Sequence, residues 1–135
     1  MKRMKKSYSI LSALILILLS AAMAFSMISC GNENELGKGE KTFTVEVYSE
    51  TGECATFTVH TDRSKVGDAL LDEGLIEGED GPYGLMVQTV NGETHVYENG
   101  GTYWAFYIDG EYAMTGVDST EIKEGVTYQL ECTKG

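Results

Sequence analysis

Residues 42–135 predict a small α+β domain in which hairpins pack on one helix, preceded by a signal peptide and a flexible tether. Three features carry that prediction. Apolar residues alternate with polar ones in several short runs, two tight-turn pairs separate such runs, and a single segment has helical spacing instead. Phe43, Val45 and Val47 alternate with Thr44 and Glu46, the period of a strand with one buried face. Gly52, within residues 49–53, supplies a turn, and Ala55, Phe57 and Val59 alternate in a second strand. Pairing Val47 with Phe57 and Val45 with Val59 puts both apolar sets on one face, a register that needs an odd-numbered loop. Asp62 or Ser64 is then placed to cap a helix ending at Asp72 or Glu73, with Val66, Ala69 and Leu70 on its apolar face and Gly74 as the left-handed stop. Leu75 and Ile76 return to the core, and the polar, glycine-rich residues 77–84 read as a loop. Residues 85–90 and 93–97 flank Asn91-Gly92, a two-residue hairpin signal. After a break at Gly100-Gly101, residues 102–108 and 111–115 flank Asp109-Gly110, a second hairpin that pairs Tyr107 with Tyr112 and Ala105 with Met114. Residues 126–133 close the domain with Val126, Tyr128 and Leu130 on one face.

The 135 residues include 10 Lys and Arg against 21 Asp and Glu, a formal charge of −11. Lys2, Arg3, Lys5 and Lys6 account for four of the cations; without residues 1–29, 6 basic and 21 acidic residues remain, a net charge of −15. A protein that tracks nucleic-acid phosphates needs a basic face, so nucleic acid is excluded as a partner. The basic start precedes an apolar run over residues 10–25, short for a membrane span and built like a secretory signal, so residues 1–29 are expected to be a signal peptide. The run ends at Met27-Ile28-Ser29-Cys30, which resembles the lipobox of bacterial lipoproteins. That resemblance implies that Cys30 is the lipidated first residue of a mature chain exported and anchored to the outer face of the bacterial cell membrane. Residues 30–41, with almost no apolar content, read as the flexible tether.

Tyr103-Trp104-Ala105-Phe106, Gly110, Gly116-Val117 and a closing strand resemble the C-terminal β-domain of transcobalamin and intrinsic factor. More closely, the chain resembles the bacterial transcobalamin-C-terminal-like family, a domain of unknown function found on lipoproteins and surface proteins. Val66-Gly67-Asp68-Ala69-Leu70-Leu71, Gly84-Leu85, Asn91-Gly92 and Thr133-Lys134-Gly135 belong to the same resemblance, which spans about residues 42–135. It implies a β-grasp-like fold of the soluble-ligand-binding kind. Its ligand class is a corrinoid (cobalamin-like) or other small cofactor, with no cofactor required. In the animal proteins this domain closes over cobalamin together with a large helical domain, for which this chain has no room.

The candidate ligand-binding residues are Tyr103, Trp104, Tyr107, Tyr112 and Met114, because both faces of the Asp109-Gly110 ribbon carry large apolar groups. A sheet covered on one side needs one such face, and a surplus of aromatics and Met makes a platform for flat ligands. The alternative is that Trp104, Phe106 and Ile108 are core while the tyrosines shield a sheet edge. Outside the cytoplasm a Cys54–Cys132 disulfide is allowed. Strand phase argues against it, since Cys132 continues the Tyr128-Leu130 face and Cys54 is out of step with Phe57 and Val59. His60 and His95 read as rim or surface residues, no metal-ligand motif is present, and Asp72, Glu73, Glu77, Glu79 and Asp80 read as a solvated acidic face. No nucleophile–base motif appears, so an enzyme is not expected and there are no catalytic candidates. Two functions remain. One is a lipid-anchored module that captures a small ligand, with membrane lipid at Cys30 and a membrane transporter as partners. The other is a non-catalytic module for surface protein–protein interaction or adhesion.

Overall fold

The computed structural model describes residue 30 and residues 32–135; the expected signal peptide at residues 1–29 lies outside the described residues. The alternation in residues 43–47 and 55–59 forms the first hairpin, strands β2 (Lys41–Tyr48) and β3 (Cys54–Thr61). Before it runs β1 (Asn32–Gly37), and after it helix α1 (Val66–Asp72). There follow β4 (Ile76–Gly81), β5 (Gly84–Val90), β6 (Glu93–Thr94), β7 (Thr102–Ile108), β8 (Glu111–Tyr112) and β9 (Thr127–Lys134), with 3-10 turns at Tyr97–Asn99 and Val117–Ser119. The main sheet has six strands in the order β1-β3-β2-β9-β7-β8, and β4-β5-β6 form a second sheet. The last strand is thus central, parallel to β2 on one side and antiparallel to β7 on the other. Among the described residues the fold is α+β with mixed pairing and one α-helix, as expected.

One face of the main sheet makes the core. Phe43, Val45, Val47, Phe57, Val59, Trp104, Phe106, Tyr128 and Leu130 meet Val66, Ala69 and Leu70 of α1 and Ile76, Val90 and Val117. Both two-residue turns take the expected form: Asn91 and Gly92 have φ of 49° and 80°, Asp109 and Gly110 of 48° and 82°. Two successive positive φ angles match the twist of the flanking strands. Gly74 stops the helix at φ 67°; its N–H donates to the Leu71 carbonyl at 3.0 Å and the Leu75 N–H to the Leu70 carbonyl at 3.0 Å, a Schellman motif.

Five expectations change. Residues 30–41 are not a loose tether throughout, because Asn32–Gly37 pairs in parallel with β3. Its side chains gave no signal, since the strand adds by backbone hydrogen bonds to an edge that would otherwise stay unpaired. Residues 77–84 are likewise not a loop. They supply β4, which pairs with β5 through a bulge at Glu77/Gly78 while Glu77, Glu79 and Asp80 point to solvent. The first hairpin pairs Val45 with Phe57 and Val47 with Ala55, two residues away from the expected register. The turn is centred on Thr51 rather than Gly52, and a two-residue slip keeps every side chain on its face. The helix has no side-chain cap from Asp62 or Ser64. Its first N–H groups are satisfied otherwise, Val66 donating to the Thr120 carbonyl at 2.9 Å beside a Lys65–Glu121 bridge. Finally, β8 ends after Tyr112, so Ala105 faces Glu131 of β9 and the Ala105–Met114 pair does not form.

Candidate functional site

Alternation along β7 sorts its aromatics between two faces. Trp104 and Phe106 enter the core, whereas Tyr103, Ala105 and Tyr107 lie on the opposite face, which no helix among the described residues covers. Trp104 therefore leaves the candidate set: it is 7% exposed and its indole N–H donates to the Gln88 carbonyl at 3.1 Å. The Asp109-Gly110 turn brings Tyr112 opposite Tyr107, with ring centroids 5.6 Å apart and planes at 88°. Tyr112 is 61% exposed and Met114, just past the end of β8, is 95% exposed. Tyr97 adds to the row, edge-on to Tyr103 at 6.4 Å. The strand expected over residues 93–97 stops at Thr94, and Tyr97 lies instead in the 3-10 turn Tyr97–Asn99, which puts it there. Burial, followed by the nearby Glu131, raises the Tyr107 phenol above its ordinary value, so it stays a neutral hydrogen-bond donor at physiological pH.

This tyrosine face is open rather than concave. A cleft of about 220 Å³ lies beneath it, between Met86, Tyr103, Trp104, Phe106, Val117 and Leu130. A second, of about 480 Å³, opens at the other end of the sheet, where Ser49, Thr51, Cys54, Val90, Asn91 and Glu93 meet. Neither takes in Tyr107, Tyr112 or Met114.

The cysteines follow the phase argument. Cys132 pairs with Trp104 on the core face and is a free, half-buried thiol, raised above its ordinary value by burial and then by Glu50 and Glu93. Cys54 pairs with Tyr48 on the other face and is joined to Cys30, at a Cα–Cα distance of 5.0 Å. Of the two histidines, His60 is a rim residue as expected, its Nδ1 3.0 Å from Thr42 Oγ1. His95 is not: its side chain is only 9% exposed. Glu50, Glu93 and His95, which the sequence did not group, bring one donor atom each within 4.8 Å of the others. The spacing of Glu93 and His95, two apart after a tight turn, was the local signal for a shared face; Glu50 lies 43 residues from Glu93 and left none. The acidic residues 77, 79 and 80 are solvated, and Asp72 is held by Arg63 at 2.8 and 3.1 Å.

Residues 64–132 match the family described as Domain of unknown function (DUF4430). The chain belongs to this family. The DUF4430 match runs from the approach to α1 into β9 and so contains the whole tyrosine face and His95, but neither Glu50 nor Cys54. No curated protein sequence matches the chain. Among solved structures, this DUF4430 member is similar to a protein of Ruminococcus gnavus ATCC 29149 described as a candidate metal-binding protein. The two share 32% identity with a TM-score of 0.67, over 71% of this chain and 99% of that one. It is also similar in fold to haptocorrin, solved in complex with Cbi, at 18% identity and a TM-score of 0.57, over 70% of this chain and 25% of haptocorrin's.

Proposed function

We propose that this DUF4430 member is a non-catalytic, extracytoplasmic ligand-binding module, held at the outer face of the cell membrane by lipidated Cys30. It takes a flat cofactor of the corrinoid class on its tyrosine face for transfer to a membrane transporter. The observation that carries this reading is the row Tyr97, Tyr103, Tyr107 and Tyr112 on the sheet face that no helix among the described residues covers, with Met114 beside it. Large rings and a thioether left in water are surface that a ligand can bury. The haptocorrin likeness supports the choice of ligand class to try first.

Titration of cobalamin and other corrinoids into the purified protein tests the reading. Saturable binding is expected, and Tyr112→Ala is expected to weaken it by about 1–3 kcal/mol, the scale of an aromatic contact residue. The melting temperature of that variant should hold, since the ring is mostly in water. A large fall in melting temperature would make the ring a packing element, and no binding at high micromolar corrinoid would remove the corrinoid class. The openness of the face favours a second reading, a flat protein partner contacting Tyr112 and Met114.

The anchor has its own test. The Cys30 sulfur forms one bond, either to lipid or to Cys54, where the unmodified chain has its disulfide. Lipidation therefore leaves Cys54 and Cys132 as two thiols, whereas the disulfide leaves Cys132 alone. Thiol counting on unfolded, unreduced protein from the membrane fraction should give two per chain; a count of one would refute the anchor. Because β1 starts at Asn32, the anchored sheet edge sits against the bilayer with no long spacer between them.

A further inference from the structure

The turn between β2 and β3 carries Glu50, strand β6 after the Asn91-Gly92 turn carries Glu93, and His95 follows just past its end. The two turns lie side by side, tied by a hydrogen bond from the Glu50 N–H to Glu93 Oε1 at 3.4 Å. His95 Nε2 is 3.3 Å from Glu93 Oε1 and 3.9 Å from Glu50 Oε2. Although its side chain is more than nine-tenths buried, Nε2 makes no hydrogen bond. The ring is fixed from behind, with Nδ1 2.8 Å from Thr102 Oγ1 and the Trp104 ring edge-on at 5.3 Å. In the tautomer that donates Nδ1–H to Thr102 Oγ1, the Nε2 lone pair faces two carboxylates. Among the described residues, no lysine or arginine pairs with Glu50 or Glu93. Three donors thus converge on a point without a positive charge.

We propose that Glu50, Glu93 and His95 form a binding site for a divalent first-row transition cation, with Zn²⁺ the best match. One imidazole and two carboxylates are ligand types such ions take, and a hydrogen-bond acceptor on the far ring nitrogen, here the Thr102 hydroxyl, orients a ligating histidine. Bonds of about 2.1 Å to each donor need donor–donor distances of about 3.0–3.5 Å. The His95–Glu93 spacing already meets that, and Glu50, with a side chain 54% exposed on a turn, stands 3.9 Å from Nε2 and needs to close on it by less than an ångström. Three protein ligands leave a coordination position open. Of the three, Glu93 also lines the 480 Å³ cleft. The site lies at the far end of β7 from the Tyr107–Tyr112 pair, and it stands or falls separately from the corrinoid reading.

Calorimetric titration of metal-free full-length protein with Zn²⁺, and absorption titration with Co²⁺, tests it. One equivalent per chain is expected to bind. Glu93→Gln and His95→Gln should each weaken binding by about tenfold or more, with Thr102→Val weakening it by a similar factor through the freed ring. His60→Ala should bind as the parent does. Glu93 is partly exposed, so its amide variant keeps the test valid if the buried His95 variant fails to fold. Absence of saturable binding up to about 1 mM, an affinity weaker than about −4 kcal/mol, would overturn the site. So would unchanged affinity in Glu93→Gln.

Discussion

Replacing Tyr128 by alanine is expected to cost about 3–5 kcal/mol, the range for removing a large buried aromatic side chain. Against a typical domain stability of about 5–15 kcal/mol, this is the change most able to abolish folding. Tyr128 is 1% exposed on β9, between the hairpin strand β2 and the aromatic strand β7. Its ring meets Phe43 edge-on at 5.5 Å and stacks on Phe106 at 6.0 Å, so one side chain ties three strands. Its hydroxyl accepts from the Lys123 N–H at 3.0 Å and donates to the Glu121 carbonyl at 3.2 Å, fixing the chain that leads into β9. Tyr128→Phe keeps the ring and orphans those two backbone groups, for an expected loss of about 1–2 kcal/mol. Urea unfolding of the two variants separates the terms. A phenylalanine variant as stable as the parent would show that water replaces the hydroxyl at no cost.

Local chemistry explains which parts of this architecture were legible. Strands with one buried face announce themselves by alternation, and Phe43 to Val47 and Ala55 to Val59 are of that kind. Asn91-Gly92 and Asp109-Gly110 fix their turns because few other residues tolerate the required φ angles. Strands β1 and β4 escaped because most of their side chains face water, and their place in a sheet is set by backbone pairing that leaves no mark in composition. At the candidate site, parity sorted Tyr103 and Tyr107 from Trp104 and Phe106, but parity alone cannot say which face a helix will cover. Only the central placement of β9 and the position of α1 turn Trp104 inward and leave Tyr103 and Tyr107 half-buried on the opposite face. Glu50 joins His95 through the adjacency of two turns, a tertiary fact with no local signature.

Gly67→Ala is expected to destabilise the domain by about 1–3 kcal/mol, the cost of forcing a methyl into a filled space. The sign is the informative part. Within an ordinary helix the same change stabilises by about 0.8–1 kcal/mol, because glycine loses more backbone freedom on folding. Here Gly67 is buried in the first turn of α1, where an added Cβ would lie 2.9 Å from the Asp118 nitrogen and 3.0 Å from Asp118 Cα and the Val117 carbonyl carbon. Those are backbone atoms of the 3-10 turn Val117–Ser119, and that turn is held on several sides. Val117 is 2% exposed, the Ser119 N–H donates to the Gly116 carbonyl at 3.1 Å, and Asp118 Oδ2 accepts from the Leu85 N–H at 3.2 Å. The next residue, Thr120, accepts the first N–H of the helix itself. A shift that relieved the methyl would therefore loosen the contact that replaces the helix cap, and helix and turn would give way together. A denaturation midpoint for Gly67→Ala at or above the parent's would show that α1 rides over this turn with room to spare, and would remove close backbone approach as the reason that glycine stands there.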